Sequence, residues 1–133
     1  MKNILLVEDD KFIIDIYTRK LKKAGFSVEI ARDGEEALRK VKSIKPDLLI
    51  LDIVLPNIDG WEIIKRIKKD KKLKDLKIVA LTNLQRGEDI ERGKSLGITG
   101  YFVKAHYTPS QIVEEIKNVM SQSPDRTNDS GTS

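Results

Sequence analysis

The chain has no cysteine, which excludes disulfides, thiolate metal sites and cysteine nucleophiles. Its one histidine, His106, has no companion, so it reads as a surface-loop residue rather than part of a phosphohistidine or ligand set. No apolar run approaches the ~18 residues of a membrane span. Met1-Lys2-Asn3 leads straight into an apolar strand pattern, without the stretch and small-residue cleavage site of a signal peptide. A cytoplasmic location is expected. Aromatic residues are scarce, and none falls among Lys65, Arg66, Lys68, Lys69, Lys71, Lys72, Lys74 and Lys77, where only Asp70 and Asp75 oppose the cations. Single-stranded nucleic acid needs stacking platforms beside its basic groove. This run therefore reads as a solvated helix end and its loop, not as a nucleic-acid surface.

What remains is a chain of 133 residues, enough for one core and too few for two. With 39% hydrophobic and 35% charged residues and a formal charge of +4, it is globular and well solvated. Strand and helix patterns alternate five times, as in a parallel sheet covered on both faces. Strands are expected near 3–8, 26–31, 47–52, 77–82 and 100–103, and helices near 11–24, 34–44, 60–70, 86–96 and 109–121. Asp33-x-x-Glu36, Asp59-x-x-Glu62 and Thr108-x-x-Gln111 mark helix starts, and Pro109 suits a first helical position. Gly25 and Gly97 stand where a left-handed C-cap is wanted. In the first helix, Phe12, Ile13, Ile16, Tyr17 and Leu21 are expected to form the core stripe. Residues 1–120 make the domain. Residues 121–133, SQSPDRTNDSGTS, hold no large apolar side chain and are expected to be a disordered tail.

The chemistry collects at strand ends. Leu48-Leu49-Ile50-Leu51 is a short apolar run that closes on Asp52, and Ile4-Leu5-Leu6-Val7 closes on Glu8-Asp9-Asp10. Ile78-Val79-Ala80-Leu81 ends in Thr82, and Gly100-Tyr101-Phe102-Val103 ends in Lys104. Open α/β sheets place their sites at the carboxyl ends of the strands, so acids, a hydroxyl and an ammonium meet at one edge. Carboxylates gathered beside Asp52 repel one another, and a hard divalent cation bound through oxygen, Mg²⁺ or Mn²⁺, relieves that repulsion. Carboxylate, divalent metal, hydroxyl and lysine together suit phosphoryl transfer to an aspartate nucleophile. Lys104 and the metal would neutralise the equatorial oxygens while Thr82 offers a hydrogen bond. Asp10 is equally well explained as the N-cap of the first helix. Tyr101, from the residues alone, reads as a half-buried aromatic with its hydroxyl in water, and Trp61 reads as packing near the site.

In "LLVEDD", "LLILDIVLPNIDG", "VALTN" and "GYFVKA" the chain resembles the receiver domain of two-component response regulators, the CheY-like family, over about residues 2–120. The resemblance implies a three-layer, doubly wound α/β fold with a five-stranded parallel sheet in the flavodoxin-like order 2-1-3-4-5. It implies that Asp52 is the phosphoacceptor and that Glu8 and Asp9 are the acidic pair, with Asp10 an extra acid. Asp9, Asp52 and the Val54 backbone carbonyl would contact Mg²⁺ or Mn²⁺, and Glu8 would act through water. Thr82 and Tyr101 would be the switch pair, remodelling the face of the fourth helix, fifth strand and fifth helix. Pro56 and Gly60 match the loop after the phosphoacceptor.

The phosphoryl donor would be a sensor histidine kinase or a histidine phosphotransfer protein, and the output an unknown protein. No membrane and no direct nucleic-acid partner is expected, and the chain would be a monomer or a weak phosphorylation-dependent dimer. It would be a phosphoacceptor module with self-phosphorylation and autodephosphorylation only, not an enzyme. Two departures stand out. Ala105 follows Lys104 where the family usually has a cis proline, so a trans bond or a shifted loop is expected. Asn83 follows Thr82 where a small residue is common, which would narrow access to Asp52. These departures motivate a competing reading as a phosphorylation-independent binding module. A haloacid-dehalogenase-like hydrolase is disfavoured, because Val54 stands where those enzymes place a second acid.

Overall fold

Along the first strand, β1 (Asn3–Val7), successive side chains enter two different cores. Leu5 and Val7 join one cluster, and Ile4 and Leu6 join the other. Alternation is what a strand's period of two imposes, and both faces being apolar means that both are covered. The computed structural model describes residues 1–121. The tail expected at 121–133 lies, except for Ser121, outside the described residues.

The remaining strands are β2 (Ser27–Ala31), β3 (Leu48–Leu51), β4 (Lys77–Thr82) and β5 (Gly100–Val103). The helices are α1 (Lys11–Lys23), α2 (Gly34–Ile44), α3 (Gly60–Lys69), α4 (Gly87–Ser95) and α5 (Pro109–Ser121). All pairings are parallel, in the order β2-β1-β3-β4-β5. One core packs Leu49, Leu51, Ile78 and Ala80 against Ala37 and Val41 of α2 and Ile63, Ile64 and Ile67 of α3. The other packs Leu48, Ile50, Val79 and Leu81 against Tyr17 and Leu21 of α1 and Ile112, Ile116 and Val119 of α5. This is the expected three-layer doubly wound fold. Among the described residues, no helix is long and apolar enough to cross a membrane.

The caps follow the expected chemistry. Asp33 accepts from Glu36 N–H, Asp59 accepts from Glu62 N–H, and Thr108 and Gln111 bond reciprocally. Gly25 and Gly97 have φ of 101° and 79°, the left-handed conformation that glycine takes without a Cβ penalty. Helix α1 differs from expectation in its inward face. Ile14, Tyr17 and Leu21 are buried and Phe12 is 73% exposed. At 100° per residue Phe12 sits about 200° from Ile14, so the two cannot share a face. The basic run forms the end of α3 and the turn into β4, at the sheet edge opposite Asp52. There the Lys68 ammonium donates to the Lys74 carbonyl.

Candidate functional site

Helix α1 begins on Asp10, whose carboxylate accepts from Phe12 N–H at 2.9 Å and Ile13 N–H at 3.2 Å. That work as an N-cap separates Asp10 from the two acids before it. Glu8 is 2% exposed. Its Oε2 accepts from Asp10 N–H at 3.0 Å, and its Oε1 takes the Lys104 ammonium at 2.7 Å. Asp9 is exposed. Asp52 continues the ladder beyond β3, its N–H donating to Val7 O, so its side chain emerges beside the end of β1. It is 8% exposed, its Oδ1 accepts from Val54 N–H at 3.1 Å, and its Oδ2 takes Lys104 Nζ at 2.8 Å.

One ammonium therefore bridges two buried carboxylates from two other strand ends. Burial pushes the Glu8 carboxyl above its ordinary value, against the opposing pull of Lys104 and the Asp10 N–H. Burial alone would lower the Lys104 ammonium, but its hydrogen bonds to Asp52 and Glu8 outweigh that and hold it above its ordinary value. Lys104 does not neutralise the group: three carboxylates share one cation. One oxygen from each of Glu8, Asp9 and Asp52 lies within 4.8 Å of the others. Hard oxygen donors with residual negative charge, two of them fixed by burial and one open to solvent, fit a divalent cation of the Mg²⁺ or Mn²⁺ class.

Lys104 reaches these partners although Ala105 follows it. No cis peptide bond occurs among the described residues, and the chain makes a single 3₁₀ turn over Lys104–His106. His106 is exposed on that turn, as expected of a surface-loop residue. Behind Asp52, Gly60 is required by contact: a Cβ there would lie 2.6 Å from Ile53 Cα and 3.0 Å from Asp52 O. No residue with a side chain fits unless the loop after Asp52 moves. Val54 meets Asp52 through its backbone N–H, while its side chain is 60% exposed.

Thr82 is fully buried at the end of β4, and its Oγ1 accepts from Leu84 N–H at 3.4 Å. The Tyr101 hydroxyl donates to Leu84 O at 2.6 Å. Residue 84 thus links the two expected switch residues through both of its backbone groups, a role that no side-chain pattern announces. Tyr101 is half-buried, with its pKa pushed up to about 12 by burial first and then by Asp89 and Asp52. Asp89, buried in the first turn of α4 and paired with Arg86 at 3.3 Å, is a second component that sequence reasoning missed. Trp61 is 6% exposed, with the Arg92 guanidinium of α4 over its ring at 4.8 Å. It is packing, as expected, and it also ties α3 to α4.

Comparison with known proteins agrees with this geometry. The family model described as the response regulator receiver domain matches residues 4–117. The alkaline phosphatase synthesis transcriptional regulatory protein PhoP of Bacillus subtilis is 34% identical over 122 residues, covering 92% of this chain and 50% of that protein. The chain spans about half the length of the curated relatives it matches. The chemotaxis response regulator CheY4 of Vibrio cholerae superposes with a TM-score of 0.83 at 32% identity, over 90% of this chain and 98% of that one. A Mn²⁺-bound form of the response regulator Rcp1 superposes with a TM-score of 0.79 at 29% identity, over 89% of this chain and 93% of that one.

Proposed function

The chain belongs to the response regulator receiver domain family of two-component signalling, and from that premise we propose that Asp52 accepts a phosphoryl group and that its arrival is read out through Thr82, Leu84 and Tyr101. The observation that carries this reading is the Lys104 ammonium held 2.8 Å from Asp52 and 2.7 Å from Glu8. Asp9 completes an acid cluster within 4.8 Å. An Asp52 oxygen attacks phosphorus, the bond from phosphorus to the donor breaks, and its electron pair leaves with the donor group. In the family that donor is a phosphohistidine of a kinase or phosphotransfer protein.

When bound, Mg²⁺ or Mn²⁺ at Asp9, Asp52 and the Val54 carbonyl, with Glu8 acting through water, would offset the carboxylates' charge and that of the incoming phosphoryl oxygens. Lys104, tethered by Glu8, stays beside Asp52 and pairs with a phosphoryl oxygen as its contact to Oδ2 is given up. The Thr82 hydroxyl, now accepting from Leu84 N–H, donates to another. Leu84 moves with Thr82, so the Tyr101 hydroxyl loses its acceptor and the ring is free to reorient. Output is then by protein–protein contact at α4, β5 and α5. The protein turns over no separate substrate, works in the cytoplasm, and is a monomer or a weak phosphorylation-dependent dimer.

Beryllofluoride with Mg²⁺ mimics the acyl phosphate. It should shift the amide resonances of Thr82, Leu84 and Tyr101 together in the wild type and leave Asp52→Asn unchanged. An unshifted wild-type spectrum would make the phosphorylation-independent binding module the better reading.

A further inference from the structure

Two residues with no phosphoryl chemistry of their own join the halves of this site. Asn83 directly follows Thr82, Ala105 directly follows Lys104, and the Ala105 N–H donates to Asn83 Oδ1 at 3.1 Å. Ala105 lies in the 3₁₀ turn Lys104–His106, whose capping residue, Val103, makes no side-chain cap hydrogen bond. The first N–H groups of a helical turn lack an internal acceptor. Valine has no polar atom to supply one, and the Asn83 carboxamide does so from the neighbouring strand end. Pairing of Thr82 opposite Val103 is the register that brings residue 83 alongside the turn.

We propose that Asn83 is a positioning residue for phosphoryl transfer: its carboxamide caps the turn that carries Lys104, fixes the aim of that ammonium, and makes the Thr82 loop and the Lys104 turn move as one unit. The role rests on the proposed acceptance of phosphoryl by Asp52. Lys104 has a long flexible stem, and its ammonium must meet Glu8 at 2.7 Å and Asp52 at 2.8 Å. Anchoring the backbone at the stem's base removes one source of freedom from that aim. The bulk of Asn83, which would narrow the path to Asp52, predicts the opposite sign. If obstruction dominates, shortening the side chain speeds uptake; if capping dominates, shortening it slows uptake. The hydrogen bond favours capping, because it turns the carboxamide oxygen toward the turn.

The test measures the initial rate of phosphoryl uptake from acetyl phosphate with Mg²⁺ by intact mass, and hydrogen exchange of the Ala105 amide without a phosphoryl donor. Asn83→Ala should slow uptake about threefold and speed Ala105 exchange about threefold, the scale of one exposed hydrogen bond. Ala105→Ser, which keeps the N–H, should retain the wild-type rate. In a Lys104→Ala background, Asn83→Ala should add no further slowing, which a general loss of structure would not reproduce. Asn83 is exposed, so Asn83→Ala leaves the core intact. An unchanged or faster rate in Asn83→Ala, or equal slowing without Lys104, overturns the positioning role and leaves phosphoryl acceptance standing. Failure of the wild type to gain phosphoryl overturns that parent reading and this role with it.

Discussion

Replacing Asp52 by asparagine should stabilise the metal-free protein, and the structure indicates by how much. Glu8 and Asp9 each bring an oxygen within 4.8 Å of Asp52. At an effective dielectric constant near 20, two unit charges at that distance repel by about 3.5 kcal/mol. Asp9 is exposed, and solvent reduces its share to roughly half. Against this, the Lys104 ammonium at 2.8 Å attracts Asp52, by about 6 kcal/mol on the same scale. Repulsion and attraction nearly cancel, so the deciding cost is burial of a full charge at 8% exposure. Asparagine keeps the acceptor for Val54 N–H without that charge, and Lys104 keeps Glu8. Net stabilisation of about 1–2 kcal/mol follows, or roughly 3–8 °C in Tm for a domain of this size. Thermal unfolding followed by far-UV circular dichroism in EDTA measures it. Saturating Mg²⁺ should raise the wild type and close the gap. A lower Tm for Asp52→Asn in EDTA would refute the reasoning and make Asp52 a structural carboxylate whose ion pair outweighs its desolvation.

Lys104→Ala should have the opposite sign, because it leaves Glu8 and Asp52 buried with no cation. A loss of about 3 kcal/mol in urea unfolding is expected, with part of it restored by Mg²⁺. Asp9→Ala should abolish the saturable Mg²⁺ response of Trp61 fluorescence or of amide shifts, since it removes the solvent-facing member of the acid cluster. Tyr101 is the late titrator. Its native pKa of about 12 stands above the ordinary 10.0, so the unfolded state ionises first and stability falls as pH rises from about 10 to 12. Tyrosinate absorbance should lose its last-titrating component in Tyr101→Phe.

Most of the architecture was legible because the apolar runs are short and bounded. Leu48–Leu51 has no polar residue, is introduced by Pro46-Asp47 and ends in an acid, which reads as a short strand covered on both faces. Helix α1 misled because Phe12, Ile13, Ile14, Ile16 and Tyr17 are all apolar. A stripe wider than one face does not say which residue turns outward; that depends on how the helix rolls onto the sheet, and Phe12 lost. Of the site, the side chains at the strand ends were readable; the choice for Asp10 between ligand and cap stayed open in the sequence and is decided by its two N–H partners. The Leu84 link and the Asn83 cap were not readable. The first uses only the backbone groups of residue 84, which its side chain does not announce. The second depends on the register of β4 against β5, which residue identities do not encode locally. Of the two outcomes expected at Ala105, a trans bond or a shifted loop, the bond is trans, and Lys104 nevertheless reaches both carboxylates, so that motive for a phosphorylation-independent reading weakens.

The central claim is that Asp52 alone takes the phosphoryl group. Incubation with acetyl phosphate and Mg²⁺, followed at once by intact-mass measurement, tests it most directly. The account predicts one added phosphoryl mass on the wild type, none on Asp52→Asn, and slower addition on Lys104→Ala. No added mass on the wild type, or the same mass on Asp52→Asn, would contradict it.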